Sequence, residues 1–296
     1  MKRKVIQIAE STQLISLPRK WAKRFEIKKG DELEIEEQGN KLSVSTAKES
    51  EHKTTKITLS TAEKFLRRPI NVLYKIGYDE VQVDFDDPQV LDLVKEETDS
   101  LLGFEIVNQQ TNNCLIRNVA SALDSEFHSI LRRIILMLTE MAKDSYEAIS
   151  KNEFNKLKEI AAREKTNNKL VFFCQRLINK KGYENYEKTT SVYSFITDLE
   201  RVCDMYRDLC NHVQNKQIKF SKEELKLFED ANKLLELLHH LFYKFNFDTL
   251  YEFREKQIAT TKTAIKLLQS KKGDMVVLYS LLSIVEKLRH MTEEIF

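Results

Sequence analysis

The feature that most restricts the fold is the near absence of helix-breaking residues in the last two thirds of the chain. All three prolines lie at or before Pro88, and the more than 200 residues that follow contain only three glycines, Gly103, Gly182 and Gly273. Proline removes a backbone hydrogen bond from a helix, and glycine in a helix interior costs about 1 kcal/mol relative to alanine. A stretch so poor in both residues predicts a set of long helices.

Composition and charge place the chain among globular proteins. Of its 296 residues, 42% are hydrophobic and 32% are charged, which excludes intrinsic disorder as the main state and predicts two or three domains. The net charge is only +2, but the first 29 residues hold nine Lys or Arg, whereas residues 79–99 hold nine Asp or Glu. A nucleic-acid surface is therefore expected at the N-terminal end.

Cysteine usage and hydropathy indicate the compartment. The four cysteines form no CxxC pair, so buried, reduced thiols are expected at Cys114, Cys174, Cys203 and Cys210. No apolar run approaches the roughly 18–20 residues of a membrane span, and no signal-peptide core follows Met1. These features predict a cytoplasmic protein without a membrane span.

Residues 1–46 show the pattern of short strands around one small helix. Strands are predicted at residues 5–8, 13–17, 33–35 and 42–44, the last two joined by a turn at Gly39 and Asn40. A helix at residues 19–25 is expected to begin with Pro18 at its first position. Fewer than 50 residues with so few apolar side chains cannot bury a comfortable monomeric core, so this all-β segment is expected to dimerise by sharing strands.

The next part of the chain alternates between helical and strand periods. Residues 47–55 are polar and are predicted to be a linker, and residues 56–119 are predicted to form a small α/β unit. Its expected helices lie at residues 60–76 and 88–102, and its expected strands at residues 81–85, 104–107 and 114–116.

Residues 120–296 are predicted to be entirely helical and to contain an internal repeat. Breaks divide the region into six helices, near Asn152, Gly182, Asn215, Asn246 and Gly273. The FNKL…AREK pattern from Phe154 resembles FDTL…FREK from Phe247, and the segment from Tyr193 resembles the segment from Tyr279. Two matched pairs in the same order predict two related three-helix bundles, at residues 120–218 and 219–296.

One helix of the first bundle carries a stripe of carboxylates. Glu200, Asp204 and Asp208 are spaced i, i+4, i+8, and like charges at this spacing destabilise a helix by tenths of a kcal/mol each. Glu164 and Asn168 on the preceding helix have the same spacing and could complete an oxygen-rich site for a hard cation. The alternative is a solvated acidic face whose charges are partnered by arginines, namely Arg163, Arg201 and Arg207.

The DLERVCD segment at residues 198–204 resembles the signature helix of PhoU-type phosphate-signalling proteins. That resemblance implies two tandem three-helix bundles with metal sites, and it assigns Glu200 and Asp204, with Glu164 as a weaker match, to a divalent or ferric ion such as iron, zinc or magnesium. The second bundle departs from the pattern: Glu286 is retained, but His290 stands at the Asp position, and Ala259 follows Glu255 by four residues. The first bundle is therefore the better candidate for metal.

The TQLISLPRKW and IKKGDELEI segments, at residues 12–21 and 27–35, resemble the AbrB/SpoVT/MazE swapped-hairpin domain. That resemblance implies an intertwined homodimer that binds DNA through basic residues near the start of the fold. The candidate contacts to DNA phosphates are Lys2, Arg3, Lys4, Arg19, Lys20, Lys23 and Arg24. The alternative is that this segment only dimerises the chain.

Together the two resemblances match archaeal phosphate-uptake regulators, which combine these domains in the same order. They imply a non-enzymatic regulator of phosphate uptake whose partner is a phosphate-transport ATPase or a sensor kinase. The alternative is an interaction protein that regulates the transporter directly and never contacts DNA. Enzyme classes are disfavoured because the sequence has no Gly-rich phosphate loop and no GxSxG motif.

Overall fold

A computed structural model describes residues 2–8, 11–46, 52–60, 67–119, 126–271 and 273–295. The chain divides into two compact units, Met1–Glu51 and His52–Phe296. Short strands come first, a mixed α/β sheet follows, and helices complete the chain, so the predicted order of structural classes is confirmed. Part of the predicted linker, residues 47–51, and of the predicted helix, residues 61–66, lies outside the described residues.

The first unit consists of two antiparallel hairpins and one short helix. Its elements are β1 (Ile6–Ile8), β2 (Thr12–Leu14), α1 (Arg19–Arg24), β3 (Leu33–Gln38) and β4 (Lys41–Thr46). In the first hairpin Ile6 pairs with Leu14, and in the second Ile35 pairs with Val44. None of the side chains described in this unit is buried. A single copy of the unit therefore has no core of its own.

The second unit begins with a four-stranded sheet and two helices. They are β5 (Thr54–Leu59), α2 (Arg67–Lys75), β6 (Glu80–Phe85), α3 (Gln89–Asp99), β7 (Phe104–Gln109) and β8 (Asn113–Asn118). The strand order is β5-β6-β8-β7, with β5 parallel to β6 and the other pairs antiparallel. Alternate side chains of β6 are buried, at Val81, Val83 and Phe85, as the alternation predicted. Strand β5 was not predicted, and it includes Thr54 and Thr55, which had been assigned to the linker.

Within the described residues from 126 onwards, six α-helices form the rest of the fold, as predicted. They are α4 (Phe127–Ser150), α5 (Leu157–Lys181), α6 (Thr189–Lys216), α7 (Lys222–Tyr243), α8 (Phe247–Ser270) and α9 (Met275–Thr292). Their ends carry the expected terminators: Asn152, Gly182 and Gly273 have positive φ angles, and Asn246 caps the start of α8. All six helices contribute to one continuous apolar core, so the boundary predicted at residue 218 lies inside a single compact unit.

The sheet and the helices of the second unit are joined by a buried ion cluster. Arg176 of α5 is 2% exposed, and its Nη1 donates to the carbonyl oxygens of Tyr74 and Tyr78, at 2.9 and 2.6 Å. Its Nη2 donates to Asp79 Oδ1 at 2.6 Å, and Lys180 Nζ donates to the same oxygen at 2.6 Å. Phe173 and Leu177, on the same helix, pack into the apolar core of the sheet. Helix α5 is therefore fixed to the sheet by charge and by apolar packing.

Candidate functional site

Helix α1 carries basic residues on its outer surface. Pro18 occupies the N-cap position of the helix, not the first helical position that was predicted. Trp21, Ala22 and Phe25 are half-buried, in agreement with their predicted common face. The four basic candidates of this helix are all exposed, namely Arg19, Lys20, Lys23 and Arg24. The guanidinium of Arg24 lies 5.8 Å from the centroid of the Phe25 ring.

The other three DNA-binding candidates precede the first strand. Lys2, Arg3 and Lys4 are exposed and immediately precede β1. All seven candidates thus belong to one unit of about 50 residues and present their charges to solvent. Exposed cations of this kind bind phosphate oxygens without reading the base sequence.

The first unit also exposes large apolar side chains. Seven of them are exposed, namely Val5, Ile6, Ile8, Leu14, Ile15, Ile35 and Leu42. So many large apolar side chains left exposed in so small a unit are typical of a surface that takes part in association. This arrangement is the one that a strand-sharing dimer requires.

A carboxylate cluster lies between α5 and α6, where the sequence predicted it. Arg207 Nη1 donates to Glu164 Oε1 at 2.9 Å and also to Asp204 Oδ1, so one guanidinium bridges two of the three predicted metal ligands. The same arginine pairs with Asp208 at 3.0 Å. Asn168 Nδ2 donates to Glu164 Oε1. Glu200, the third candidate, lies one turn from Asp204 on α6 and accepts no hydrogen bond from any described residue.

Burial and like charges shift the titration of these carboxylates. Desolvation by burial, together with the Asp204 carboxylate, raises the pKa of Glu200 above its ordinary value. Burial and Asp204 likewise raise the pKa of Glu164, although Arg207 acts in the opposite direction. The Glu200 carboxylate is therefore repelled by the Asp204 carboxylate and has no hydrogen-bond donor among the described residues to offset this repulsion.

Among the described residues, no group of three or more His, Cys, Asp or Glu side chains is positioned to hold a metal ion. A cation on Glu164, Glu200 and Asp204 would have to displace the guanidinium of Arg207. Arg201 and Arg163, which were also expected to partner the acidic face, form ion pairs with other carboxylates. Arg201 pairs with Asp198, and Arg163 pairs with Asp144.

A cavity of about 530 Å³ lies beside this cluster, between α5 and the helices of the sheet. Its walls include Glu164 and Asn168 from α5, and Asn71, Glu97 and Asp99 from the side of the sheet. The Oδ1 atoms of Asn71 and Asn168 are buried without a hydrogen-bond donor among the described residues. Sequence reasoning missed Asn71, because its proximity to α5 depends on how the sheet packs against the bundle.

The second bundle carries a different network at the related position. Gln257 Nε2 and Thr261 Oγ1 of α8 donate to Glu286 Oε1 of α9, at 3.1 and 2.9 Å, and Arg289 Nε donates to Oε2 at 3.1 Å. Burial acts to raise the pKa of Glu286, but the bonds from Thr261 and Arg289 outweigh it and lower the pKa below its ordinary value. Glu255, which the repeat aligned with Glu164, is exposed. That alignment was wrong by two residues.

The correction follows from the burial pattern of the two helices. In α5 the residues at positions 160, 164, 167 and 171 are buried, and in α8 those at 253, 257, 260 and 264 are buried with the same spacing. Gln257 therefore corresponds to Glu164, and Thr261 to Asn168. Gln257 and Thr261 are neutral donors at these positions, and the single carboxylate, Glu286, accepts their hydrogen bonds and pairs with Arg289.

Comparison with known proteins identifies the first unit. Residues 6–49 match the family described as antidote-toxin recognition MazE, bacterial antitoxin. The N-terminal unit is therefore similar to MazE/AbrB-like domains, a class whose members typically dimerise and bind DNA. No curated protein and no solved structure matches the chain. No helix within the described ranges is both long and apolar enough to cross a membrane.

Proposed function

We propose that the protein is a dimeric, cytoplasmic, DNA-binding regulator of phosphate uptake. The observation that carries the proposal is the character of the first unit: it matches an antitoxin-type family, exposes all seven candidate DNA-binding cations and buries none of its described side chains. The C-terminal helices are the sensing or docking part of the molecule.

Dimerisation is the first step of the proposed function. A unit of about 50 residues without a buried side chain cannot offset its conformational entropy alone. A second copy that covers Ile6, Leu14, Ile35 and their exposed neighbours supplies the missing core. Because a two-fold dimer presents each basic group twice, dimerisation also doubles the charge available to a duplex.

DNA binding by this dimer rests on phosphate contacts. Each phosphate that a Lys or Arg neutralises releases counterions, and the logarithm of the affinity falls with the logarithm of salt by about 0.9 per contact. The seven candidates of each copy are exposed and suited to this role. Lysine and arginine contacts to phosphates position a protein but do not select a base sequence.

Regulation of phosphate uptake is supported by the resemblance of residues 198–204 to PhoU-type signature helices and by the six-helix architecture. In this proposal the α5–α6 cluster is where a metal ion binds, with oxygens from Glu164, Glu200 and Asp204 and with Arg207 displaced. The partner is a phosphate-transport ATPase or a sensor kinase. The ion would neutralise the repulsion that Arg207 leaves at Glu200.

Metal binding is tested by elemental analysis of protein purified without chelator. Glu200→Gln with Asp204→Asn should lose the metal that the unmodified protein carries, while helicity is unchanged. Asp248→Asn with Glu252→Gln is the matched control, because these carboxylates have the same i, i+4 spacing on the exposed surface of α8. Equal metal content in all three proteins would remove the metal from the proposal.

The function as a whole is tested by recovery of chromatin with the tagged protein from cells grown in high and low phosphate. Enrichment upstream of phosphate-transport genes, with a dependence on phosphate, is the expected result. A dimer would cover the exposed apolar residues of the first unit even if the protein never bound DNA. This observation favours a second candidate function, an interaction protein that regulates the transporter without contacting DNA. Recovery of the transporter without any DNA enrichment would support that candidate.

A further inference from the structure

Helix α8 of the second bundle exposes an apolar stripe. Phe247, Tyr251, Ile258 and Ile265 are exposed by 66%, 68%, 45% and 42%. At 100° per residue these four positions lie within about 40° of one another around the helix axis. The buried positions of the helix, Phe253, Gln257, Thr260 and Ala264, are centred about 125° away from this stripe. The core of the bundle therefore leaves this stripe uncovered.

Charges along one edge of the stripe are segregated by sign. Asp248 and Glu255 lie in the first half of the helix, and Lys262 and Lys266 lie in the second half. All four are exposed, and none forms an ion pair with another described residue. By helical geometry they lie on the same side of the apolar stripe. One half of this edge is therefore acidic and the other half basic.

This pattern is complementary to itself when two copies run antiparallel. Tyr251 and Ile265 are each seven residues from Ile258, so a two-fold axis at Ile258 places each of them opposite the other in the second copy. In an antiparallel pair of helices, residues on one edge face the same edge of the partner, which brings Glu255 opposite Lys262. In a parallel pair each edge instead faces the opposite edge of the partner, so the acidic and basic halves of this edge would not meet.

We propose that a second copy of this chain docks on α8, antiparallel, with Ile258 at the two-fold axis. The occupant is a second copy because, in an antiparallel pair, the acidic half of this edge on one copy faces the basic half of the same edge on the other copy. The four apolar side chains offer on the order of 400 Å² per copy, about half of what a stable interface buries per partner. The contact is therefore weak and dependent on concentration, and it adds to any dimer formed by the first unit.

Cysteine cross-linking tests the position of the axis. The four native cysteines are all buried, so a cysteine placed on α8 is the reactive thiol among the described residues. Ile258→Cys should form an intermolecular disulfide under mild oxidation, because residue 258 meets its own copy. Thr263→Cys is the control: it is exposed on the same helix, but it lies about 140° away from the stripe. Equal cross-linking of the two variants would overturn the proposal.

Charge exchange tests the pairing. In sedimentation of the full chain over a concentration series, Glu255→Lys alone or Lys262→Glu alone should weaken the higher-order association about fivefold. The double variant, which exchanges the two charges, should return to within about twofold of the unmodified protein. Any dimer formed by the first unit is common to all variants. A double variant as weak as the singles, or no change in the singles, would show that another surface or another protein covers α8.

Discussion

The strongest perturbation that the structure predicts is the loss of Arg176. Its guanidinium is almost fully buried, and it contacts two carbonyl oxygens and one carboxylate of the sheet. In Arg176→Met the apolar stem is retained, but the guanidinium no longer donates to any of these three acceptors. The carbonyl oxygen of Tyr74 keeps the N–H of Gly77. Asp79 then keeps Lys180 and the backbone N–H of Lys53.

The magnitude follows from what is left unpaired. Removal of one partner of a buried ion pair costs about 3–5 kcal/mol, and an unsatisfied buried carbonyl costs about 1–3 kcal/mol. These losses share one site and do not add, so we expect about 3–5 kcal/mol in the free energy of unfolding. With a urea dependence near 3 kcal/mol per molar, the unfolding midpoint shifts by about 1–2 M.

The assay is urea unfolding followed by circular dichroism at 222 nm, with Lys169→Met as the control. Lys169 Nζ also donates to the carbonyl oxygen of Asp99, at 2.7 Å, but this hydrogen bond is exposed to solvent, so its loss should cost less than about 0.5 kcal/mol. Burial acts to raise the pKa of Asp79, but the bond from Lys180 and the neighbouring cations outweigh it and lower the pKa. The stabilisation is therefore present above the unfolded pKa and is lost as pH falls through the folded one. A loss below 1 kcal/mol at neutral pH would refute this account of the junction.

Two further predictions concern the dimer and the carboxylate cluster. A chain without residues 1–51 should be a monomer by light scattering at low micromolar concentration, because the exposed apolar surface of the first unit is gone. A mass of twice the shortened chain would instead place the dimer contact in the second unit. In chelator-treated protein, Glu200→Gln should raise the free energy of unfolding at neutral pH by roughly 0.5 kcal/mol, because it deletes a half-buried, repelled charge. Since the folded pKa of Glu200 is raised, its ionisation destabilises the native state as pH rises, so the gain should vanish below the unfolded pKa, near pH 4. A stability loss at pH 7 would show that Glu200 has a partner in solution.

The helical part of the fold was predictable because its signals are local. Asn152, Gly182 and Gly273 stop helices through their backbone conformation, and Asn246 starts one through its side chain. Each of these effects depends on the residue itself and its neighbours within one turn. The strand alternation of β6 has the same local character.

The elements that sequence reasoning missed depend on contacts between distant residues. Strand β5 is short and polar on one side, and it is fixed by parallel pairing with β6, in which Ile57 lies beside Val83. The bridge from Arg207 to Glu164 spans 43 positions, which spacing along one helix cannot show. Glu255 was aligned with Glu164 because the letters around them agree, whereas burial assigns that position to Gln257.

The measurement that tests the central claim most directly is duplex DNA binding over a salt series. The unmodified protein should bind a random duplex, and its affinity should fall by about a thousandfold or more between 50 and 200 mM salt. Arg19→Glu with Lys20→Glu should abolish binding without changing the dimer mass. The charge-matched control, Lys143→Glu with Lys158→Glu, alters exposed lysines of the helices and should bind as the unmodified protein does. An affinity that does not depend on salt, or equal binding by the two double variants, would contradict a DNA-binding role for the first unit.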